Sequence, residues 1–184
     1  MQIHAIHDGP AGPLLNILNN NNILINKINF NNNEKSLRFN LNYAKNIETD
    51  ILYFLEDDYI HTEDALEVLL DGFELLKFDK SIISLYDAMD RYTRKDDVDY
   101  HKTLIKLGKK KYWRTAESTT CTWSISKELY DSCVYDEAIK FGLNDRELFR
   151  YIRTKDILLF TPLQGASTHC HEPFLSPFVN WANV

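Results

Sequence analysis

No stretch of the 184-residue chain approaches the roughly 18–20 consecutive apolar residues that cross a bilayer. The amino-terminal residues also lack a basic segment followed by an apolar one, the mark of a secretion signal. A soluble, cytoplasmic protein without a membrane span is therefore expected. Cysteine is scarce: Cys121, Cys133 and Cys170 are odd in number and fall at unrelated spacings. That argues against a disulfide framework and a zinc knuckle, and it fits a reducing compartment. No Ser/Gly/Pro-rich linker and no internal repeat divides the chain, so one domain over residues 1–184 is expected. A glycine-rich phosphate loop, a serine nucleophile elbow and an HExxH motif are all missing. Basic residues are outnumbered, 21 Lys and Arg against 27 Asp and Glu, for a net charge of −6. This excludes a sequence-independent binder of the nucleic-acid backbone. An anionic surface still admits small phosphorylated ligands held through a metal ion.

What is present is a globular composition, with 44% hydrophobic and 26% charged residues. Aromatic residues make up 12%, which suits sheets and pocket walls. Asparagine is dense between Asn16 and Asn46, and its runs at 19–22 and 31–33 read as loops, because Asn tolerates turn conformations. Strands are expected at Met1–Ile6, Ile23–Phe30, Ser81–Leu85, Ser118–Ile125 and Ile157–Phe160. Ile51–Leu55 (ILYFL) is an unbroken apolar run, the pattern of a central parallel strand covered on both faces. Helices are expected at Ser36–Ile47, capped by Ser36, and over the Leu66–Leu76 stripe. Two more are expected at Ser126–Cys133 and at Asn144–Thr154, where Asn144 and Glu147 are spaced like a capping box. Asp90–Lys111 is polar and irregular and reads as a long surface loop. This alternation predicts a three-layer α/β/α fold with a mostly parallel central sheet.

Chemistry concentrates in a few places. Glu56-Asp57-Asp58 follows the apolar run directly, and three adjacent carboxylates repel one another unless water or a cation compensates them. The cluster is either a solvated acidic turn ahead of a helix or an oxygen-donor site for Mg²⁺ or Mn²⁺. Its place at the carboxyl end of a central strand is where open α/β sheets hold ligands. Thr168-His169-Cys170-His171-Glu172 puts two histidines on one side of an extended segment. Both histidines could ligate a metal, or one could do so beside a carboxylate, or both could simply be exposed loop residues. Asn144-Asp145 caps a helix start, where Asp145 either compensates the helix dipole or serves as a general base. Trp113–Trp123 is rich in Thr, Ser and Trp, the letters of a sugar-binding surface and equally of a Thr-rich strand with buried indoles.

Taken in order, these pieces resemble the nucleotide-sugar glycosyltransferases of the GT-A fold. LRFNLNYAKNIETDILYFLEDDYIHTEDAL places EDD where that family has its metal-binding DxD motif. SIISLYDAMDRY, STTCTWSISKELYD, FGLNDREL and ASTHCHEPFLSPFVNW are similar to its later segments. The resemblance implies that Asp58 ligates Mn²⁺ or Mg²⁺, with His169 completing the site. It also implies that Glu56 and Asp57 hold ribose or metal-bound water. Asp145 would be the base of an inverting transfer, Asp8 would lie near the nucleoside and Arg38 near the diphosphate. Trp123 and His171 would face substrate. The implied partners are a nucleotide-sugar donor, a UDP-sugar first among them, and a glycan or other hydroxyl acceptor. The family's D-G turn falls here at Asp8, so its first nucleobase-binding unit is either missing or remodelled within the Asn-rich part. The competing readings are a nucleotidyltransferase and a non-catalytic, sugar- or partner-binding relic of the same fold.

Overall fold

The structure, a computed structural model, describes residues 1–10, 12–21, 23–76, 80–93, 103–119 and 122–184. In chain order it forms β1 (His4–Asp8), α1 (Pro13–Asn20), β2 (Leu24–Ile28), α2 (Asn33–Lys45), β3 (Ile51–Phe54), β4 (Tyr59–His61) and α3 (Ala65–Leu76). These are followed by β5 (Ser81–Ile83), α4 (Asp90–Thr93), β6 (Ile105–Leu107), β7 (Tyr112–Ala116) and β8 (Trp123–Ser126). The last third holds α5 (Lys127–Leu129), a π turn (Tyr130–Val134), α6 (Tyr135–Phe141), α7 (Asp145–Arg153), β9 (Leu158–Pro162) and β10 (Ser167–His169).

Six strands make the main sheet in the order β3–β8–β5–β9–β7–β6. Successive side chains point to opposite faces, and two cores result. Leu52, Phe54, Ile82, Trp123, Ile125 and Leu159 pack with residues of α2, α6 and α7. Ile83, Trp113 and Phe160 pack with Val68, Leu69 and Phe73 of α3 on the other side. Helices therefore cover both faces, as strand–helix alternation led one to expect. Gly72 permits the close seat of α3, since a Cβ there would lie 2.7 Å from the Trp113 ring.

The sheet is mixed, which corrects the expected mostly parallel arrangement. Among the described residues its one parallel pairing is β5–β9; β3–β8, β5–β8, β7–β9 and β6–β7 are antiparallel. Among the described strands β3 lies at the edge of this sheet and not at its centre, as the apolar run had suggested; that run reports cover on both faces, which is compatible with an edge place and with either direction of neighbour. The short turn at residues 108–111 forces β6 and β7 to be antiparallel, because parallel neighbours need a long crossover. Two smaller pairings stand apart from the main sheet. β1 and β2 pair in parallel, and β4 pairs antiparallel with β10.

Four local expectations also change. Part of the asparagine-rich loop is helix: α1 takes in Asn16, Asn19 and Asn20, opened by Pro13 in its first turn. Helix α2 begins earlier than Ser36, because Asn32 is its cap and accepts from the Lys35 N–H at 2.9 Å. The polar stretch read as one surface loop carries α4 and β6, with residues 94–102 outside the described residues. The strand expected at Ser118–Ile125 starts only at Trp123, and Thr120 and Cys121 lie outside the described residues. By contrast, Asn144 caps α7 as expected, accepting the Glu147 N–H, and Ser126 likewise caps α5 by accepting that of Leu129. No described helix is long and apolar enough to cross a membrane.

Candidate active site

The acidic turn Glu56-Asp57-Asp58 links β3 to β4 and is exposed throughout. Tyr59 is paired with His169 across the β4–β10 ladder, and the Cys170 N–H donates to the Asp58 carbonyl at 2.7 Å. The ladder thereby brings two side chains together: His169 Nε2 lies 2.6 Å from Asp58 Oδ2. The His169 ring is braced by Tyr59 at 5.2 Å and Phe174 at 5.6 Å between centroids. His171 is exposed, with its ring 6.2 Å from that of His169 and 5.3 Å from Phe174. Of the two histidines, His169 is the one at the Asp58 carboxylate.

The ribbon that carries this pair is tied to the main sheet by polar groups that did not stand out in the sequence. His61 Nε2 lies 2.8 Å from the Tyr53 hydroxyl, which is 3.4 Å from Thr122 Oγ1. Burial pulls the His61 pKa down and pushes that of Tyr53 up, so both stay neutral near pH 7. Tyr59 packs edge-on against Tyr86, whose hydroxyl donates to the Phe174 carbonyl at 2.7 Å. Burial pushes the Tyr86 pKa up to about 12, which keeps that donor protonated. The available signal for His61 was its place two residues after Tyr59, on the same side of a strand.

Asp8 and Arg38 are engaged by other groups of the fold. The Asp8 carboxylate closes a turn: it accepts from the N–H groups of Phe30 at 2.7 Å, Asn31 at 3.0 Å and Asn32 at 3.3 Å. It also accepts from the Ser36 hydroxyl, and these bonds, that of Ser36 first, hold its carboxyl below the usual Asp range. Its acceptor capacity is spent on fixing the end of β1 to the start of α2. Arg38 pairs with Glu34 one turn away at 2.9 Å, and both flank Gly142 just ahead of α7.

Trp123 is core and not surface, which corrects its expected contact with substrate. Its indole is 5% exposed and packs between Phe54 at 4.4 Å and Phe149 at 6.4 Å. A strand covered on both faces has no side free to present an indole to a ligand. The residue instead separates two elements of interest. Phe54 precedes Asp58 by one turn of chain, and Phe149 follows Asp145 by one helical turn. Asp145 itself opens α7 as its first residue and is half-buried.

One charged cluster escaped sequence reading. Asp87, just past β5, is fully buried. It accepts from Arg114 Nη2 at 2.6 Å and from the Tyr92 hydroxyl at 2.6 Å, with Arg91 Nη1 at 3.7 Å. Arg91 also donates to the carbonyls of Tyr86 at 3.0 Å and Ser118 at 2.6 Å, joining α4 to the end of β7. Arg114 lies over the Tyr92 ring at 4.5 Å.

As a cation site, the Asp58–His169 pair offers one carboxylate oxygen and one imidazole nitrogen. Among the described residues no group of three or more His, Cys, Asp or Glu is gathered as a metal centre. A two-donor set fits a divalent ion whose other positions are filled by water and substrate phosphates, as Mg²⁺ and Mn²⁺ are commonly held. No protein-family model matches the chain, and no curated protein matches it.

Proposed function

We propose that the chain is a metal-dependent glycosyltransferase of the GT-A type. It moves a sugar from a nucleotide-diphosphate donor, a UDP-sugar first among them, to an acceptor hydroxyl with inversion. The observation that carries this reading is the meeting of Asp58 and His169, separated by 111 residues, beside the end of β3. Asp58 and His169 would hold Mn²⁺ or Mg²⁺, with Glu56 and Asp57 in the same turn serving ribose or metal-bound water. When bound, the ion offsets charge on the departing diphosphate. Asp145 accepts the proton of the acceptor hydroxyl as that oxygen attacks the anomeric carbon. Trp123 keeps the turn of Asp58 and the first turn of α7 at a fixed separation, through Phe54 and Phe149.

Thermal denaturation with Mn²⁺ and UDP, GDP or dTDP tests the reading. Stabilisation is expected only when metal and nucleotide are both present. Asp58→Asn should abolish it without lowering the melting temperature of the ligand-free protein. Unchanged nucleotide affinity in Asp58→Asn, measured by titration calorimetry, overturns the assignment. A second reading, a sugar- or partner-binding protein without turnover, is favoured by the engagement of Asp8 and Arg38, the residues expected at the donor, within the fold. Release of UDP from a UDP-sugar in the presence of acceptor separates the two.

A further inference from the structure

The carboxyl-terminal strap after β10 is stapled at Ser176, whose N–H donates to Thr168 Oγ1 at 2.7 Å and whose hydroxyl donates to the Ser167 carbonyl at 2.8 Å. Trp181 Nε1 returns to the Ser176 carbonyl at 2.8 Å, so the strap is a fixed loop. Between the strap and Met89, the residue before α4, lies an open cavity of about 450 Å³, lined also by Glu172, Pro173, Phe178, Asn180 and Trp181 among others. That volume falls within the range of small-molecule sites, about 300–1,000 Å³.

Phe178 is the anomaly. Its φ is 68°, the left-handed region that a bulky residue adopts only at a cost in free energy. Burial does not offset that cost, because Phe178 is 71% exposed. The strain instead presents an aromatic ring to the cavity. Tyr92 meets the Phe178 ring edge-on, at 5.3 Å and 84°, and an edge-on contact leaves faces free. Tyr92 is itself locked from beneath by its bond to buried Asp87 and by the Arg114 guanidinium over its ring. The result is a rigid, exposed aromatic platform with a carboxylate, Glu172, and a side-chain amide, Asn180, on its rim.

We propose that this cavity is a carbohydrate subsite that takes a neutral pyranose ring stacked on Phe178. An aromatic face beside hydrogen-bonding side chains complements a sugar, which has an apolar C–H face and a polar hydroxyl edge. The charged residue among the described lining is Glu172, a carboxylate that repels a phosphate or other anion. An acyl chain or apolar peptide would strip water from the Glu172 carboxylate without replacing its hydrogen bonds. The subsite adjoins the Asp58–His169 pair: Glu172 and Pro173 lie between His171 and Phe174, and both of those rings pack near His169. Naming the bound sugar as the acceptor rests on the transferase reading; sugar binding itself does not.

The test is saturation-transfer NMR on the full chain with the methyl glycosides of glucose, galactose, mannose and N-acetylglucosamine. At least one should bind, with saturation greatest on the protons of one ring face. Phe178→Gly should weaken that binding at least about tenfold, while the melting temperature holds or rises, because glycine relieves the left-handed backbone. The proposal fails if none of the four binds, or if Phe178→Gly binds unchanged. It also fails if sedimentation shows a dimer that Phe178→Gly dissolves, which would assign the cavity to a second copy of the chain. Glycoside binding without any response to Mn²⁺ and nucleotide would remove the transferase reading and leave the subsite standing. A metal–nucleotide response without glycoside binding would do the reverse.

Discussion

The main sheet and the β1–β2 pair, whose strands read HAIHD and LINKI, are held together differently. Every residue of β5 and β8 is buried, and helices cover both faces. Every residue of β1 is only half-buried, and β2 is exposed at Leu24 and Lys27. The main sheet is fastened by apolar packing and by one buried charge cluster around Asp87. The small sheet is fastened largely by polar contacts, the Asp8 carboxylate on the start of α2 and His4 Nδ1 at 2.9 Å from the Tyr43 hydroxyl. Apolar burial is insensitive to pH, whereas a carboxylate clamp is not. The two regions should therefore fail under different conditions.

The largest effect is expected at Asp87. Asp87→Ala leaves Arg114 and Arg91 without their buried counter-charge, and breaking such a pair typically costs about 3–5 kcal/mol. Urea denaturation should show that loss as a single shifted transition. A loss below about 1 kcal/mol would mean that the main sheet is held by packing alone and would erase half of the contrast. An intermediate effect is expected from acid. The Asp8 carboxyl is held below its ordinary value, so its stabilising contribution is present above about pH 4 and is lost as the pH falls through the lower folded value. Amide exchange at Phe30, Asn31 and Asn32 should accelerate there before that of β5 and β8. Asp8→Ala should reproduce the local opening at neutral pH. Equal acceleration in both regions would show that they open as one unit.

The smallest effect is expected at Arg38. Its pair with Glu34 is substantially exposed, and surface pairs of this helical spacing contribute about 0.3–0.5 kcal/mol. Arg38→Ala should therefore barely move the melting temperature. A marked loss of nucleotide affinity in the same variant would show that the guanidinium leaves Glu34 for the diphosphate.

Some elements were legible because their signals are local. The cap at Asn144 follows from a side-chain oxygen reaching the N–H of Glu147, three residues on. The apolar run before the acidic turn marked β3 as a strand covered on both faces. Other elements were not legible, for equally definite reasons. Helix α1 sits among asparagines that favour turns by themselves, and it buries Leu15 in the fold. The true start of α2 depends on Asp8, more than twenty residues earlier. Trp123 carried the same letters whether exposed or buried, and only its contacts with Phe54 and Phe149 decide which it is.

The sequence alone determined what adjacent residues determine: alternation of strands and helices, helix caps, and an acidic turn directly after a buried strand. These depend on backbone propensity, apolar periodicity and charge, all of which act over a few residues. The tertiary structure alone decided strand direction, the burial of Asp87 between two arginines, and the 2.6 Å approach of His169 to Asp58. Each of these joins groups from separate elements, and no short-range preference encodes which distant partner a strand edge or a carboxylate will meet. That choice is made when the chain buries its apolar faces, and the candidate site forms where the ribbon of β4 and β10 closes beside the end of β3.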